Sequence, residues 1–449
     1  MAGTVAIIGG GLAGVTAALF ARKNGARPVI VRKGGGATSF SSGGLDLATD
    51  PMPPPNRPDK VETRSRANLA RHVLNMPHHP YLKLIRQQEE EEVENIIQML
   101  ETVRHEIFPQ GADLELHGDV EFASPLFTAL GTVKYTNLFP ERTAGPESPG
   151  LQKPMVAGVN GLADFDPWSF GRVASDNART MGVNISPRSA YIVFGDPQMQ
   201  APELCAAIER QPEAFLEAVS QLDMSGAGSL LLPPVLPLAR RASMMAEMEE
   251  RLSVPVYETL ALPPSVPGLR LTEYLTGLAE KNNVPVLSAG VTGFRTDGKG
   301  LAGLELDLSA SAVKAASQTV EQLEEGRAYL QADAVVLASG KFIGGGLAKE
   351  RRFREKIFDL PVAVNNEFCG DIFIEKVLGH RVSDPHLLFN AGVLVDNTLR
   401  PLDENGMPVY ENLYAAGAVL SGNDYMTQGT GAGVAMASGL KAGENAAAG

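Results

Sequence analysis

A chain of 449 residues is longer than one hydrophobic core usually serves, so two domains are expected. Its composition, 44% hydrophobic and 20% charged, is ordinary for a globular protein. A formal charge of -13 has the wrong sign for a nucleic-acid groove, which excludes DNA and RNA as natural partners.

The expected elements begin with a strand over residues 4–8, a glycine turn over 9–14, a helix over 15–24 and a strand over 28–31. The apolar run 5–21 has no basic leader, contains four glycines and is too short to cross a bilayer comfortably, so it reads as a buried strand entering a helix. Pro51, Pro53, Pro54, Pro55 and Pro58 cannot continue a helix or a central strand and mark an exit from the first domain. A helix is expected over 81–104, with Val93, Ile96, Ile97 and Leu100 on one face. The acidic run 89–92 on that helix reads as a solvated face rather than a metal or partner site. Strands follow over 154–159, 183–193 and 228–232, alternating with helices and punctuated by proline turns.

From a helix over 271–281 the chain returns to the first domain, with strands over 284–291 and 334–339. The charged segment 314–327 is expected to be a surface excursion, and residues 391–445 alternate strand, glycine-rich loop and a small-residue helix. The fold class is therefore α/β: a discontinuous Rossmann-like domain over residues 1–55, 268–345 and 387–449. A large inserted α/β domain, for substrate or partner, covers 56–267, and a connecting segment covers 346–386.

The strongest chemical signal is Gly9-x-Gly11-x-x-Gly14, which follows a strand and opens a helix through Leu12 and Ala13. In this motif the first glycine permits a tight turn, the second lets a phosphate reach the backbone, and the third lets helix and strand pack closely. The helix N-terminus then presents free N–H groups to the phosphate. The acid that normally grips ribose hydroxyls at the end of the second strand is missing, and Arg32 and Lys33 stand there. Such cations suit a 2′-phosphate, a mononucleotide phosphate or no ligand at all. Ser41, Ser42, Gly43 and Gly44 form a loop of donors expected close to the Gly9 turn, Ser339 and Gly340 end a buried strand, Gly417 closes a second one, and all are candidate cofactor-binding residues. Gln428, Gly429 and Gly431 lead into the final helix, a second anion-friendly N-terminus. The adjacent His78 and His79 and the single tryptophan, Trp168, read as structural rather than catalytic. Cys205 and Cys369, the two cysteines, cannot ligate an iron–sulfur cluster by themselves, and no metal-site spacing occurs.

These pieces, in this order, resemble the flavoproteins of the fumarate reductase and succinate dehydrogenase group. That resemblance makes the nucleotide a flavin and the first domain flavin-binding. The position of the covalent-attachment histidine of that group is Ala37 and the frequent glutamate after Gly417 is Ala418, so the flavin is expected to be non-covalent. The group's dicarboxylate-site signatures are not recognisable, which argues against fumarate chemistry. A closer resemblance is to the B-subunit family of anaerobic glycerol-3-phosphate dehydrogenases. It is carried by residues 40–47 (FSSGGLDL), His79-Pro80-Tyr81, 262–271 (LPPSVPGLRL), 336–347 (VLASGKFIGGGL) and 398–401 (TLRP).

That resemblance implies FMN, whereas the glycine turn is shaped for the pyrophosphate of FAD. It also implies two partners: a catalytic FAD-containing subunit, and an iron–sulfur subunit that docks the complex on the inner face of the cell membrane. The chain itself is then cytoplasmic. The function implied is oxidation of sn-glycerol 3-phosphate to dihydroxyacetone phosphate, with electrons passed towards quinone. A non-catalytic relay or assembly role and a fumarate reductase-like activity are the alternatives. No residue is singled out as the catalytic base.

Overall fold

The computed structural model describes residues 3–50, 58–85, 91–196, 198–308, 319–322, 326–365, 367–369, 374–381, 384 and 386–449. The principal elements in chain order are β1 (Thr4–Ile8), α1 (Leu12–Lys23), β2 (Arg27–Arg32), α2 (Ser65–Asn75), α3 (Tyr81–Leu84) and α4 (Glu91–Ile107). Then come β3 (Pro154–Val159), α5 (Pro167–Thr180), β4 (Arg188–Ile192), α6 (Ala201–Arg210), α7 (Pro212–Ser220), β5 (Ser229–Leu232), α8 (Arg241–Leu252) and β6 (Val256–Glu258). The last set is α9 (Val266–Lys281), β7 (Val286–Ser288), β8 (Gly290–Asp297), β9 (Gly300–Asp307), β10 (Arg327–Gln331), β11 (Ala334–Leu337), β12 (Leu413–Ala415) and α10 (Gly431–Ala448). Two compact units result, one of residues 1–37, 66–107 and 275–449, the other of 38–65 and 108–274. No helix among the described residues is long and apolar enough to cross a membrane.

The first unit is built on a five-stranded sheet in the order β7-β2-β1-β11-β12, parallel throughout. Its central strands are continuous apolar runs, as expected of a parallel sheet covered on both faces; α1 and α10 pack on it, and β9 of an antiparallel group contacts β11. The small-residue character of α1 and α10 has a direct use. A Cβ on Gly439 would lie 2.6 Å from the Ala13 carbonyl oxygen, and one on Gly443 2.3 Å from that of Ala17, so the two helices approach backbone to backbone. Helix α4 packs on α10, and Lys23 of α1 pairs with Glu106 of α4 at 2.5 Å. An antiparallel group, β8-β9-β10 with the short strand Glu321–Gln322, is appended to it.

The second unit has its own parallel sheet, β6-β5-β3-β4, so the inserted region is itself α/β, as expected. Every residue of β3 is buried, and Phe127, Phe170, Phe215 and Met244 form part of the core around it. The Asp166 side chain caps α5 by accepting from Ser169 N at 2.7 Å.

Several expected boundaries lie elsewhere. Residues 38–65 cluster with the middle of the chain because Asn137, buried, holds them there. Its Oδ1 accepts from Leu47 N (2.9 Å) and Ala48 N (3.0 Å), and its Nδ2 donates to Ser65 Oγ (3.0 Å). Residues 66–107 cluster with the chain ends through the packing of α3 and α4 on α10. The single helix expected over 81–104 is α3 and α4, and residues 86–90 lie outside the described residues. Of the acidic run, Glu89 and Glu90 are also outside them, while Glu92 is buried with its Oε1 unpartnered, so this end of the run is not a solvated face. Trp168 is half exposed in the first turn of α5, its ring 5.1 Å from that of Tyr191, rather than packed in a turn. Of the expected excursion 314–327, residues 314–318 and 323–325 are outside the described residues.

Replacing Gly443 with Val forces a branched side chain onto the α1 backbone. The variant is expected to lose about 1–3 kcal/mol of stability, read as a lower urea midpoint, whereas Gly277→Ala, at a position with open space, should lose less than half of that.

Candidate functional site

The loop between β1 and α1 is glycine because nothing else fits. Gly9 sits at φ +118°, and a Cβ there would fall 2.2 Å from the Ala338 carbonyl oxygen at the end of β11. A Cβ on Gly14 would fall 1.9 Å from the Gly9 carbonyl oxygen, so the first turn of α1 closes directly on the turn before it. Gly9 N donates to Val31 O at 2.8 Å, and Ala338 N donates to Ile8 O at 2.9 Å, which ties the ends of β2 and β11 to the turn. Helix α1 begins after Gly11 with no side-chain cap and no acidic residue in its first turn. Its leading N–H groups, on Leu12, Ala13 and Gly14, thus form a positive end without a competing carboxylate.

Two other glycine turns come to the same helix end. Gly417, at φ +75° just after β12, is held so close that a Cβ would touch the Cβ of Ala13 at 2.6 Å, and its N–H donates to Ser438 Oγ of α10 at 2.8 Å. Ser339 follows β11; its hydroxyl is buried without a partner, and Gly340 beside it is left-handed at φ +73°. The carboxyl ends of β1, β11 and β12 therefore meet at α1, the usual ligand edge of an open parallel sheet. These features fit a dinucleotide: a backbone cradle that any Cβ would fill, an uncapped positive helix end and an unsatisfied hydroxyl.

Arg32, at the end of β2, lays its aliphatic stem over this turn, since a Cβ on Gly10 would lie 2.7 Å from Arg32 Cδ. Its Nη1 donates to Thr276 Oγ1 at 2.6 Å, while Lys33 is exposed. Ahead of α10, the Gln428 carboxamide is engaged within its own loop: Oε1 accepts from Asp424 N (2.8 Å) and Nε2 donates to Gly422 O (3.1 Å). Gly429 supplies a left-handed φ of +65°, and Gly431 starts the helix. Ser41, Ser42, Gly43 and Gly44 belong to the second unit, where Ala261 N donates to Ser42 O at 2.8 Å and a Cβ on Gly44 would meet Thr136 Oγ1 at 2.7 Å.

Buried polar residues that the sequence reading passed over surround the third turn. Lys341, directly after Gly340, is buried, and its ammonium donates to the carbonyls of Asn423 (2.6 Å) and Phe389. Burial pushes it down to about 7, with Asp424 pulling the other way. The Asn423 side chain is fully buried with neither Oδ1 nor Nδ2 partnered. The only signal for Lys341 was a lone cation in a glycine-rich stretch after an apolar strand. His79 has the structural role expected of it. Its Nδ1 accepts from Tyr81 N (3.2 Å) and its Nε2 is 2.9 Å from Thr430 Oγ1, the residue before α10. Burial first, and His72 second, hold its pKa well below the ordinary range, so the ring is neutral. Among the described residues no group of three or more potential ligands is placed to hold a metal ion.

With this geometry in place, the class of the protein follows: a profile for the FAD binding domain matches residues 4–434, and the chain belongs to that family of flavoprotein oxidoreductases. More particularly, it is homologous over nearly its whole length to the B subunit of the anaerobic glycerol-3-phosphate dehydrogenase. Identity is 29% over 455 residues with the protein of Pectobacterium carotovorum subsp. carotovorum strain PC1, covering 98% of this chain and 97% of that one. It is 26% over 457 residues with that of Actinobacillus pleuropneumoniae serotype 5b strain L20, covering 98% of each. Among solved structures, the open conformation of a flavocytochrome c3 fumarate reductase aligns with all of this chain and 78% of its own, at 11% identity and a TM-score of 0.42.

The buried Lys341 gives a pH test. Between its ordinary value of 10.5 and its folded value of about 7, the unfolded chain holds a proton that the folded chain does not. Stability therefore falls as pH is lowered through that window and is level below it. Urea unfolding at about pH 9.5 and about pH 7.5 is expected to show wild type losing stability relative to Lys341→Met, at up to about 1.4 kcal/mol per pH unit. Parallel behaviour of the two proteins would mean that the ammonium stays charged in its site.

Proposed function

We propose that this chain is the flavin-bearing B subunit of a heteromeric dehydrogenase that oxidises sn-glycerol 3-phosphate to dihydroxyacetone phosphate and delivers electrons towards quinone. The observation that carries the reading is the end-to-end similarity to B subunits of that enzyme, in a chain whose three glycine turns meet at one uncapped helix end. The family profile and the pyrophosphate-shaped turn favour FAD over FMN, bound without a covalent link. A bound flavin supplies the two-electron redox chemistry. The residues proposed to hold it are Gly9, Gly11, Leu12, Ala13 and Gly14 at the turn, Arg32 and Lys33 beside it, Ser339 and Gly340, Gly417, and the stretch Gln428, Gly429 and Gly431. Their work is to bind phosphate through N–H groups and to keep the cradle free of side chains. The name of the relatives supports a heteromeric assembly. The partners proposed are a catalytic FAD-containing subunit, together with an iron–sulfur subunit that holds the complex at the cytoplasmic face of the membrane.

The chain, purified alone and denatured, is expected to release a flavin that chromatography identifies as FAD. Recovery of FMN would overturn the cofactor choice, and a colourless chain that still restores a partner's activity would replace the flavin-bearing role with an assembly role. Gly10→Val, which thrusts a side chain against the Arg32 stem, should lower flavin content by about tenfold or more while the circular dichroism spectrum is kept. With the partner subunits and an artificial acceptor, glycerol 3-phosphate should be turned over; fumarate reduction in its place would overturn the substrate.

A further inference from the structure

Glu258, the last residue of β6, is buried and fully subscribed. Its oxygens accept from Leu236 N (3.0 Å), Arg241 Nε (2.7 Å), and Arg270 Nη1 and Nη2 (2.8 and 2.9 Å). Both arginines are buried as well, so one buried carboxylate faces two guanidinium groups, with Glu141 a further negative charge near Arg241. Arg270 Nε is buried without an acceptor, and so is the Thr259 hydroxyl without a partner. Both residues line one cavity together with Ser42, Gly43 and Thr143. It contains about 190 Å³ of empty space, part of it open to solvent, with room for about one water-sized atom.

A partly open space with room for about one oxygen, lined by Arg270 and Thr259, which carry an unused guanidinium N–H and an unused hydroxyl, suits a single anionic oxygen. The rim is fixed in place. The Ser265 hydroxyl donates to Ser41 O, and a Cβ on Gly268 would sit 2.3 Å from Ser39 O, so the Ser41–Gly44 loop is clamped to the start of α9. We propose that this cavity is a phosphoryl subsite. It takes one terminal oxygen of a phosphomonoester onto Arg270 Nε and Thr259 Oγ1, with the other oxygens held at the Ser42 rim. The proposal rests on the reading of glycerol 3-phosphate as substrate and gives the Ser41–Gly44 loop a role towards that substrate. A monoester suits the site because one oxygen enters while the remaining charge stays near solvent.

Thr259→Val is the decisive variant, because it keeps the side-chain shape and leaves the Glu258 ion cluster intact. Calorimetric titration of the whole chain, at fixed ionic strength, uses inorganic phosphate, sn-glycerol 3-phosphate and glycerol. Phosphate and glycerol 3-phosphate are expected to bind and glycerol is not, and Thr259→Val should weaken both by about tenfold with flavin content unchanged. In the assembled complex the same variant should raise KM for glycerol 3-phosphate and leave kcat near wild type. Equal binding to wild type and variant, or no binding of phosphate, would reduce the cluster to a structural ion triad and end the proposal. Binding of phosphate without glycerol 3-phosphate would overturn the substrate role. If the complex does not oxidise glycerol 3-phosphate yet both ligands bind and Thr259→Val weakens both, the subsite stands and the proposed reaction falls.

Discussion

The nucleotide end of this protein depends on glycines packed so closely that no Cβ could stand in their place. Gly14 closes on Gly9, Gly9 on Ala338, Gly417 on Ala13, and Gly439 and Gly443 on the carbonyls of α1. Gly14 on Gly9 tightens the first turn and the others join different stretches of chain, so the ends of three strands and two helices converge only while these glycines lack a Cβ. The convergence also decides what can bind. A surface made of N–H groups and an uncapped helix end offers hydrogen-bond donors and partial positive charge but no base, which suits holding a phosphate and not cleaving a bond. Catalytic groups, if this chain has them, must come from elsewhere than the glycine cradle.

Buried charge is treated differently in the two units. In the first, Lys341 is paired chiefly with backbone carbonyls, and Glu355 accepts from Ile357 N and Phe358 N while burial pushes its carboxyl up to about 7. Backbone partners favour the charged form without a counter-charge, burial opposes it more strongly, and both groups are left titrating close to neutral pH. In the second unit Glu258 meets two guanidinium groups directly, and its carboxyl is lowered despite burial, which opposes the shift, because Arg270 and Arg241 outweigh it. Two guanidinium groups around one carboxylate suit an anionic ligand.

The parallel sheet of the first unit was legible because its strands are short, wholly apolar runs and its turns are glycines at fixed spacing. The same physics made the inserted sheet readable at β3 and β5. What escaped was whatever depends on a single polar side chain reaching across the chain. Asn137 sits in an unremarkable stretch, yet its carboxamide ties Leu47, Ala48 and Ser65 to the second unit, against the proline run that suggested the first domain continued to residue 55. Glu258 sits in an apolar strand, where a lone carboxylate carries no visible partner until Arg241 and Arg270 fold against it. Glu92 was read from its acidic neighbours as solvated, and packing of α4 buried it. Periodicity records which face is apolar; it does not record which polar group has been taken inside.

Arg32 shows how the local and global readings bear on the cofactor. An acid at the end of β2 would hold a ribose diol, and an arginine cannot accept those hydroxyl protons. Yet the guanidinium does not simply invert the preference. Its stem is laid along Gly10 and its Nη1 is committed to Thr276, so the cation is fixed beside the turn instead of projecting into solvent. A fixed cation at that point adds to the positive charge at the end of α1. A dinucleotide flavin is thus compatible with the missing acid, provided its phosphates carry the larger share of the binding.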